Sequence, residues 1–241
     1  MSLQLDLVKK TELVLEKKGF SKDIEAKVCI ILDESGSMTG DFKNGTVSSI
    51  VDRALAIGYK FDDDGEIDVW SFSGSGNFIR RPSATQDQYG SYLKHRMLGG
   101  STVYHQVLRA VAKDYYERTQ DVKEEVVKKA GFFSRLMGGS DQVKKVVTVK
   151  EETDLPAFVI FITDGRPDVP SEALKNIKDI LTKYPKMFVQ FIGVGYSDFS
   201  VLKDISEKND NAAFNTINSN DSDEVVLDKF LNSKARKVLE D

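Results

Sequence analysis

Three short stretches of this chain put small oxygen-bearing side chains where an apolar run stops or a helix begins. The first, DESGSM, closes the run Cys29–Leu32 on Asp33, then sets Ser35 and Ser37 at alternate positions around Gly36. The second, GGST, offers Ser101 and Thr102 just ahead of VYHQVLRAVAKDYYER. The third, ITDG, ends the run VIFIT on Asp164. Two carboxylates with several hydroxyls make an all-oxygen ligand set, which suits a hard divalent cation. Magnesium keeps several waters and needs few protein oxygens, so it fits best, with manganese and calcium as the other admissible ions. Zinc would require His or Cys, and the two histidines, His95 and His105, have no partner cluster. Alone, each loop is an ordinary turn, because Asp, Ser and Gly are common turn formers. Three such loops, each at a strand-to-helix junction, are not explained in that way.

Positioning these loops requires a particular scaffold. AKVCIILD, LPAFVIFITD and KMFVQFIGVG are nearly continuous apolar runs of strand length, the pattern of strands buried on both faces of a parallel sheet. EIDVWSFS and AAFNTIN read as further strands, and GNFIRRP as an adjoining one. TVSSIVDRALAIGYKF places Val47, Ile50, Val51, Ala54 and Ile57 on one helical face, with Thr46 as the expected N-cap. SEALKNIKDILTKY, SDFSVLKDISEKN and a closing SDEVVLDKFLNSKARKVL read as helices, and TQDQYGSYLKHRM as a weaker one interrupted by Gly90. Near the N-terminus an amphipathic helix over about residues 4–19 ends at Gly19. Strands alternating with helices predict an α/β fold: a doubly wound, mostly parallel sheet, helices on both faces and one antiparallel edge strand. Ligands of such sheets bind beyond the carboxyl ends of the strands, where strand order reverses. Asp33 and Asp164 both fall at that edge.

The chain is read as one domain over 1–241, with a charged insertion at about 119–154 that breaks the alternation. The insertion reads as a surface hairpin. Its sharper reading is a partner-binding lobe anchored by Phe132, Phe133, Leu136 and Met137. With 241 residues, 40% apolar and 30% charged, the chain can build a substantial core. A net charge of −4 with both signs interspersed gives no footprint for nucleic acid or an anionic membrane. The single cysteine, Cys29, sits in an apolar run, so no internal disulfide is expected and a reducing compartment, the cytoplasm, fits best. The N-terminal stretch is too charged for a signal peptide, and no run is long enough to span a bilayer. Cys29 and Trp70 read as packing residues, His105 as a packed or solvated histidine, and Asp168 as a turn former.

DESGSM resembles the D-x-S-x-S motif of von Willebrand factor type A (vWA) domains. GGST resembles their threonine-bearing loop and ITDG their aspartate-bearing loop. The resemblance covers about Ala26 to Leu239, with the insertion as the departure. It implies a metal-ion-dependent adhesion site (MIDAS) formed by Asp33, Ser35, Ser37, Thr102 and Asp164. In that family the threonine stands six residues before an apolar helical residue. Thr102 leads to Leu108 and Ser101 to Val107, so spacing admits both, and residue type favours Thr102. LVLEKKGFS before the first strand and TVYHQVL after the threonine resemble the bacterial tellurium-resistance, TerF-like branch. The implied function is magnesium-dependent protein binding in a tellurium-resistance or stress-response system, through a Glu or Asp carboxylate of a partner protein. Oligomeric state is left open.

The enzymatic alternative is a haloacid-dehalogenase-like phosphotransferase using Asp33. That chemistry wants a second aspartate two residues on, where this chain has Ser35, and Glu34 stands at the wrong offset. GSGNFI lacks the third glycine of a dinucleotide loop, and no P-loop pattern occurs. With no poised nucleophile and base, the expectation is a binding module rather than an enzyme.

Overall fold

A computed structural model describes residues 3–61, 66–85, 93, 98–117, 119–127, 143–150 and 155–240. Two compact units emerge, one formed by Met1–Ala112 with Asp154–Asp241 and the other by Lys113–Thr153.

In the larger unit the apolar runs become the middle of a sheet. Strands β1 (Lys27–Asp33), β2 (Glu66–Phe72), β3 (Phe78–Arg80), β4 (Ala84–Thr85), β7 (Ala157–Thr163), β8 (Met187–Val194) and β9 (Ala212–Ile217) run in the order β3-β2-β1-β7-β8-β9, with β4 also on β2. The neighbours from β2 through β9 are parallel, whereas β3 and β4 are antiparallel to β2. The expected doubly wound sheet with an antiparallel edge is what forms. Every residue of β7 and β8 is buried, which explains why their sequences do not alternate.

Helices α1 (Leu3–Lys18), α3 (Thr46–Phe61), α7 (Asp223–Phe230) and α8 (Ser233–Glu240) cover one face. There Ile30, Leu32, Ile160, Ile162 and Phe188 meet Val14, Ile50, Ile57 and Phe230. The alternate residues, such as Phe161, face the other way. On that side Tyr104, at the start of α4 (Tyr104–Tyr116), packs edge-on to Phe161 and Phe72. Arg109 of α4 donates to Asn176 of α5 (Pro170–Lys183) at 2.6 Å, and α5 lies beside α6 (Ser200–Lys208). Gly58 lets α3 settle close to the sheet: a Cβ there would lie 2.2 Å from Ile67 Cδ1. Gly58→Ala therefore forces the helix or Ile67 to move, at about 1–3 kcal/mol.

Local details explain the ends of the helices. Gly19 sits at φ 73°, and paired bonds from Gly19 N–H to Glu16 O and from Phe20 N–H to Leu15 O close α1 as expected. Thr46 is not the cap of α3. It is the first residue of the helix: Gly45, at φ 83°, accepts the Ser49 N–H at 3.0 Å as the cap residue, and the Asn44 side chain accepts the Thr46 N–H on Oδ1 at 2.9 Å. The closing helix breaks in two, because the Asn232 side chain accepts the N–H groups of Lys234 and Ala235 and starts α8 afresh. Three helices are tied by charge: Asp223 of α7 pairs with Lys10 of α1 at 2.8 Å and with Arg53 of α3. No helix among the described residues is long and apolar enough to cross a membrane.

The smaller unit contains an antiparallel pair, β5 (Thr119–Val127) and β6 (Val143–Lys150), whose register shifts between Val122 and Glu125. Phe132, Phe133, Leu136 and Met137 lie outside the described residues, as does most of TQDQYGSYLKHRM.

Candidate metal centre

Strand order reverses at β1, which has β2 on one side and β7 on the other. Parallel register pairs Leu32 with Ile162, so Asp33 at the end of β1 and Asp164 just past β7 leave the sheet side by side. The crevice is where an open α/β sheet presents its ligands.

Asp33 is fully buried and doubly held. Its Oδ1 accepts the Ser35 N–H at 2.9 Å, and its Oδ2 accepts the Thr163 hydroxyl at 2.6 Å. The chain then turns through a 3₁₀ segment, Gly36–Met38, into the short helix α2 (Thr39–Lys43). Met38, fully buried, pins this turn to the core. The turn brings Ser35 Oγ to 3.1 Å from Ser37 Oγ, and Ser37 donates to Asp164 Oδ1 at 3.0 Å. Asp33, Ser35, Ser37 and Asp164 thus form one hydrogen-bonded string from two loops.

The third loop is clasped to these. Gly99 and Gly100 lie at φ 69° and 99°, a region that side chains disfavour. Gly36 N–H donates to Gly100 O at 3.0 Å. Thr102 N–H donates to Asp168 Oδ1 at 3.1 Å, and Asp168 N–H returns a bond to Thr102 O at 2.9 Å. Asp168 therefore shapes the turn, as expected, and also joins two loops. Ser101 Oγ lies where a Cβ on Gly74 would meet it at 2.7 Å, which takes Ser101 towards the β2–β3 turn. Among the described residues none hydrogen-bonds the Thr102 hydroxyl, so its oxygen is available.

Three contributors escaped sequence reasoning. Thr163 holds Asp33, Tyr104 places its hydroxyl on the Gly165 carbonyl, and Glu34 is fully buried beneath the string. The first two are 130 and 61 residues from their partners. Only Glu34 left a trace, as a charge set directly against a buried strand. His105, expected to be packed or solvated, is buried on α4 with Nε2 3.4 Å from Glu172, and burial lowers its pKa. Cys29 is a buried free thiol in the core.

The site is short of positive charge. Burial pushes Asp33 up from 3.8 to about 6, against the pull of its hydrogen bonds from Thr163 and Ser35. Burial also raises Asp164, with the nearby Asp41 adding to it. Among the described residues no lysine or arginine pairs with either carboxylate, and their partners are hydroxyls and an amide. No group of three or more His, Cys, Asp or Glu suited to a metal occurs among the described residues. Neutral hydroxyls beside two uncompensated carboxylates fit a hard cation that keeps part of its water.

The family profile vWA-TerF-like, described as the vWA found in the TerF C terminus, matches residues 25–234. The chain is 31% identical over 201 residues to the Bacillus subtilis (strain 168) protein YcbR, across 82% of this chain and 69% of YcbR. Among solved structures it resembles proximal thread matrix protein 1 from the mussel byssus, with a TM-score of 0.54 and 18% identity over 87% of this chain and 48% of that one. A structure of the mussel protein with a zinc-occupied MIDAS motif matches with a TM-score of 0.52 and 17% identity, over 92% of this chain and 48% of that one. The chain thus spans about half the length of these solved structures, and at such identity the likeness speaks for the fold.

Proposed function

Because the chain belongs to the TerF-like family of vWA domains, we propose that it is a magnesium-dependent protein-binding module. It recruits a Glu or Asp of a partner protein through a cation held by Asp33, Ser35, Ser37, Thr102 and Asp164. The observation that carries this reading is the string from Asp33 through Ser35 and Ser37 to Asp164 at the switch point of the sheet. Ser35, Ser37 and Thr102 offer neutral oxygens. Asp33 is too deeply engaged to be more than a holder of the loop and of a coordinated water. When bound, the cation supplies an electrophilic position that an incoming carboxylate completes.

Specificity has to come from the rim, since one carboxylate contact cannot discriminate partners. Val169 and Tyr196 are 51% and 98% exposed. Val169 follows the Asp164 loop. Tyr196 lies on the neighbouring loop after β8, whose Ser197 Oγ would lie 3.2 Å from a Cβ on Gly165. The name of the family supports a place in a bacterial tellurium-resistance or stress-response system, and the buried free thiol suits a cytoplasmic location. A phosphotransferase is disfavoured because the Asp33 oxygens are buried and both hydrogen-bonded, unlike an attacking nucleophile.

Calorimetric titration with magnesium and with manganese tests the metal, and one site is expected. Partner capture with and without EDTA tests the adhesion. Partner binding that survives EDTA would overturn the adhesion reading and leave metal binding to be judged by titration.

A further inference from the structure

Glu34 is the charged side chain beneath the candidate site to which cation binding gives no role. It is fully buried, and a buried carboxylate is costly unless paired. Its Oε1 accepts the Ser71 hydroxyl at 2.5 Å, and its Oε2 accepts Arg81 Nη2 at 2.6 Å. Arg81 Nε donates to Ser71 Oγ at 3.1 Å, closing a ring of three side chains. The same residue reaches the second loop: Oε2 also accepts the Leu98 N–H at 3.0 Å, and the Glu34 carbonyl accepts the Gly99 N–H at 2.9 Å. Gly99 and Gly100 carry no side chain that could set the path of the loop, so the path is fixed from outside. Asp168 clasps its tip at Thr102, and Glu34 clasps its root.

We propose that Glu34 and Arg81 form a latch that holds the root of the Thr102 loop in register with the loop of Ser35 and Ser37, making Glu34 a positioning residue of the cation site. The latch rests on the metal-binding reading for its purpose, while its geometry stands without it. An apolar pair could fill the same space with comparable stability, but it would offer no acceptor to Leu98.

The test replaces both partners at once, as Glu34→Met with Arg81→Met, so that neither charge is left without the other. Manganese affinity is read by titration, and loop order by hydrogen exchange at Leu98 to Val103. The double variant is expected to melt near the wild type, to lose manganese affinity by about tenfold or more, and to lose exchange protection in the loop while β1 and β7 keep theirs. Glu34→Gln keeps an acceptor for Leu98, so its affinity should stay within about threefold of wild type. Thr102→Ala added to the double variant should weaken binding no further, because the latch acts through Thr102. Wild-type affinity, unchanged loop protection, or losses that multiply would each overturn the latch. If the double variant does not fold, Glu34→Leu alone removes the acceptor that holds Leu98, and undiminished affinity and protection there would overturn it equally. Should the wild type bind no manganese, the metal reading fails alone, and loop exchange still decides the latch.

Discussion

Two regions of the larger unit handle buried or half-buried aspartates in opposite ways. Where α1, α3 and α7 meet, Asp223 has Lys10 and Arg53 as partners, and Lys10 also reaches Asp6 at 2.7 Å. Burial works against ionising Asp223, but the two cations outweigh it and hold its pKa below the ordinary value. At the carboxyl edge of the sheet, Asp33 and Asp164 receive hydroxyls and an amide, and both pKa values rise. The chain has 34 lysines and arginines, so cations were not scarce. Where an aspartate serves the fold, the protein supplies the counter-charge itself. At the proposed site the described residues offer only neutral donors, the arrangement expected if the counter-charge is a bound cation.

The largest effect that could break this contrast is on the metal itself. Asp33→Ala should reduce magnesium and manganese affinity by about a hundredfold or more, roughly 3 kcal/mol, in calorimetric titration. Asp223→Ala should leave both affinities unchanged. Equal binding by wild type and Asp33→Ala would remove the site.

Next in size is a pH effect with a definite sign. With its folded pKa near 6 against an ordinary 3.8, Asp33 binds its proton more tightly in the folded state than in the unfolded one. Its contribution to metal-free stability is complete below about pH 4 and is lost as pH rises through 6, on the order of 3 kcal/mol in all. Other carboxylates titrate in the same range, so the quantity to measure is wild type minus Asp33→Asn in denaturant melts from pH 4 to 7.5. A difference that stays flat across that window would mean the site tolerates its charge unaided.

A smaller effect sharpens the contrast by sign. Without metal at pH 7.5, Asp33→Asn should stabilise by about 1–3 kcal/mol, since it removes a buried uncompensated charge while Thr163 can turn its hydroxyl to accept. Asp223→Asn should destabilise by about 1–2 kcal/mol, because it deprives Lys10 and Arg53 of their partner. Shifts of the same sign would erase the distinction between the two regions. Smallest is the response to the ion. Magnesium at ten times its dissociation constant should add about 1.4 kcal/mol, a rise of roughly 2–4 °C in Tm at pH 7.5. At pH 4.5 the rise should largely disappear as Asp33 protonates.

Much of the scaffold was legible because burial on both faces leaves so plain a trace. CIILD and VIFITD can hardly be anything but central strands, and their final aspartates locate the edge. Thr102 was legible only with its neighbour as a rival, and the structure turns the Ser101 hydroxyl towards Gly74, where a Cβ would lie 2.7 Å from it. What could not be read were groups whose partners lie far along the chain. Thr163 looks like any strand threonine until it meets Asp33, and Glu34 looks like a turn residue until Arg81 arrives 47 residues later. Short-range competition was missed as well. Gly45, helped by the Asn44 side chain, displaced Thr46 as the cap, and Asn232 split a helix across which the apolar pattern runs unbroken.

The pairing of β1 with β7 has a consequence in time. The bonds that close the site, Thr163 to Asp33 and Ser37 to Asp164, span 130 and 127 residues. At a usual synthesis rate of about 5–20 residues per second, the DESGSM loop waits on the order of ten seconds before its partners leave the ribosome. Contacts of such long range also form late in folding, once the cost of closing the loop has been met. An ion that needs both loops cannot template this fold. It can only recognise one already made, so on the proposed reading partner recruitment is reserved for finished molecules.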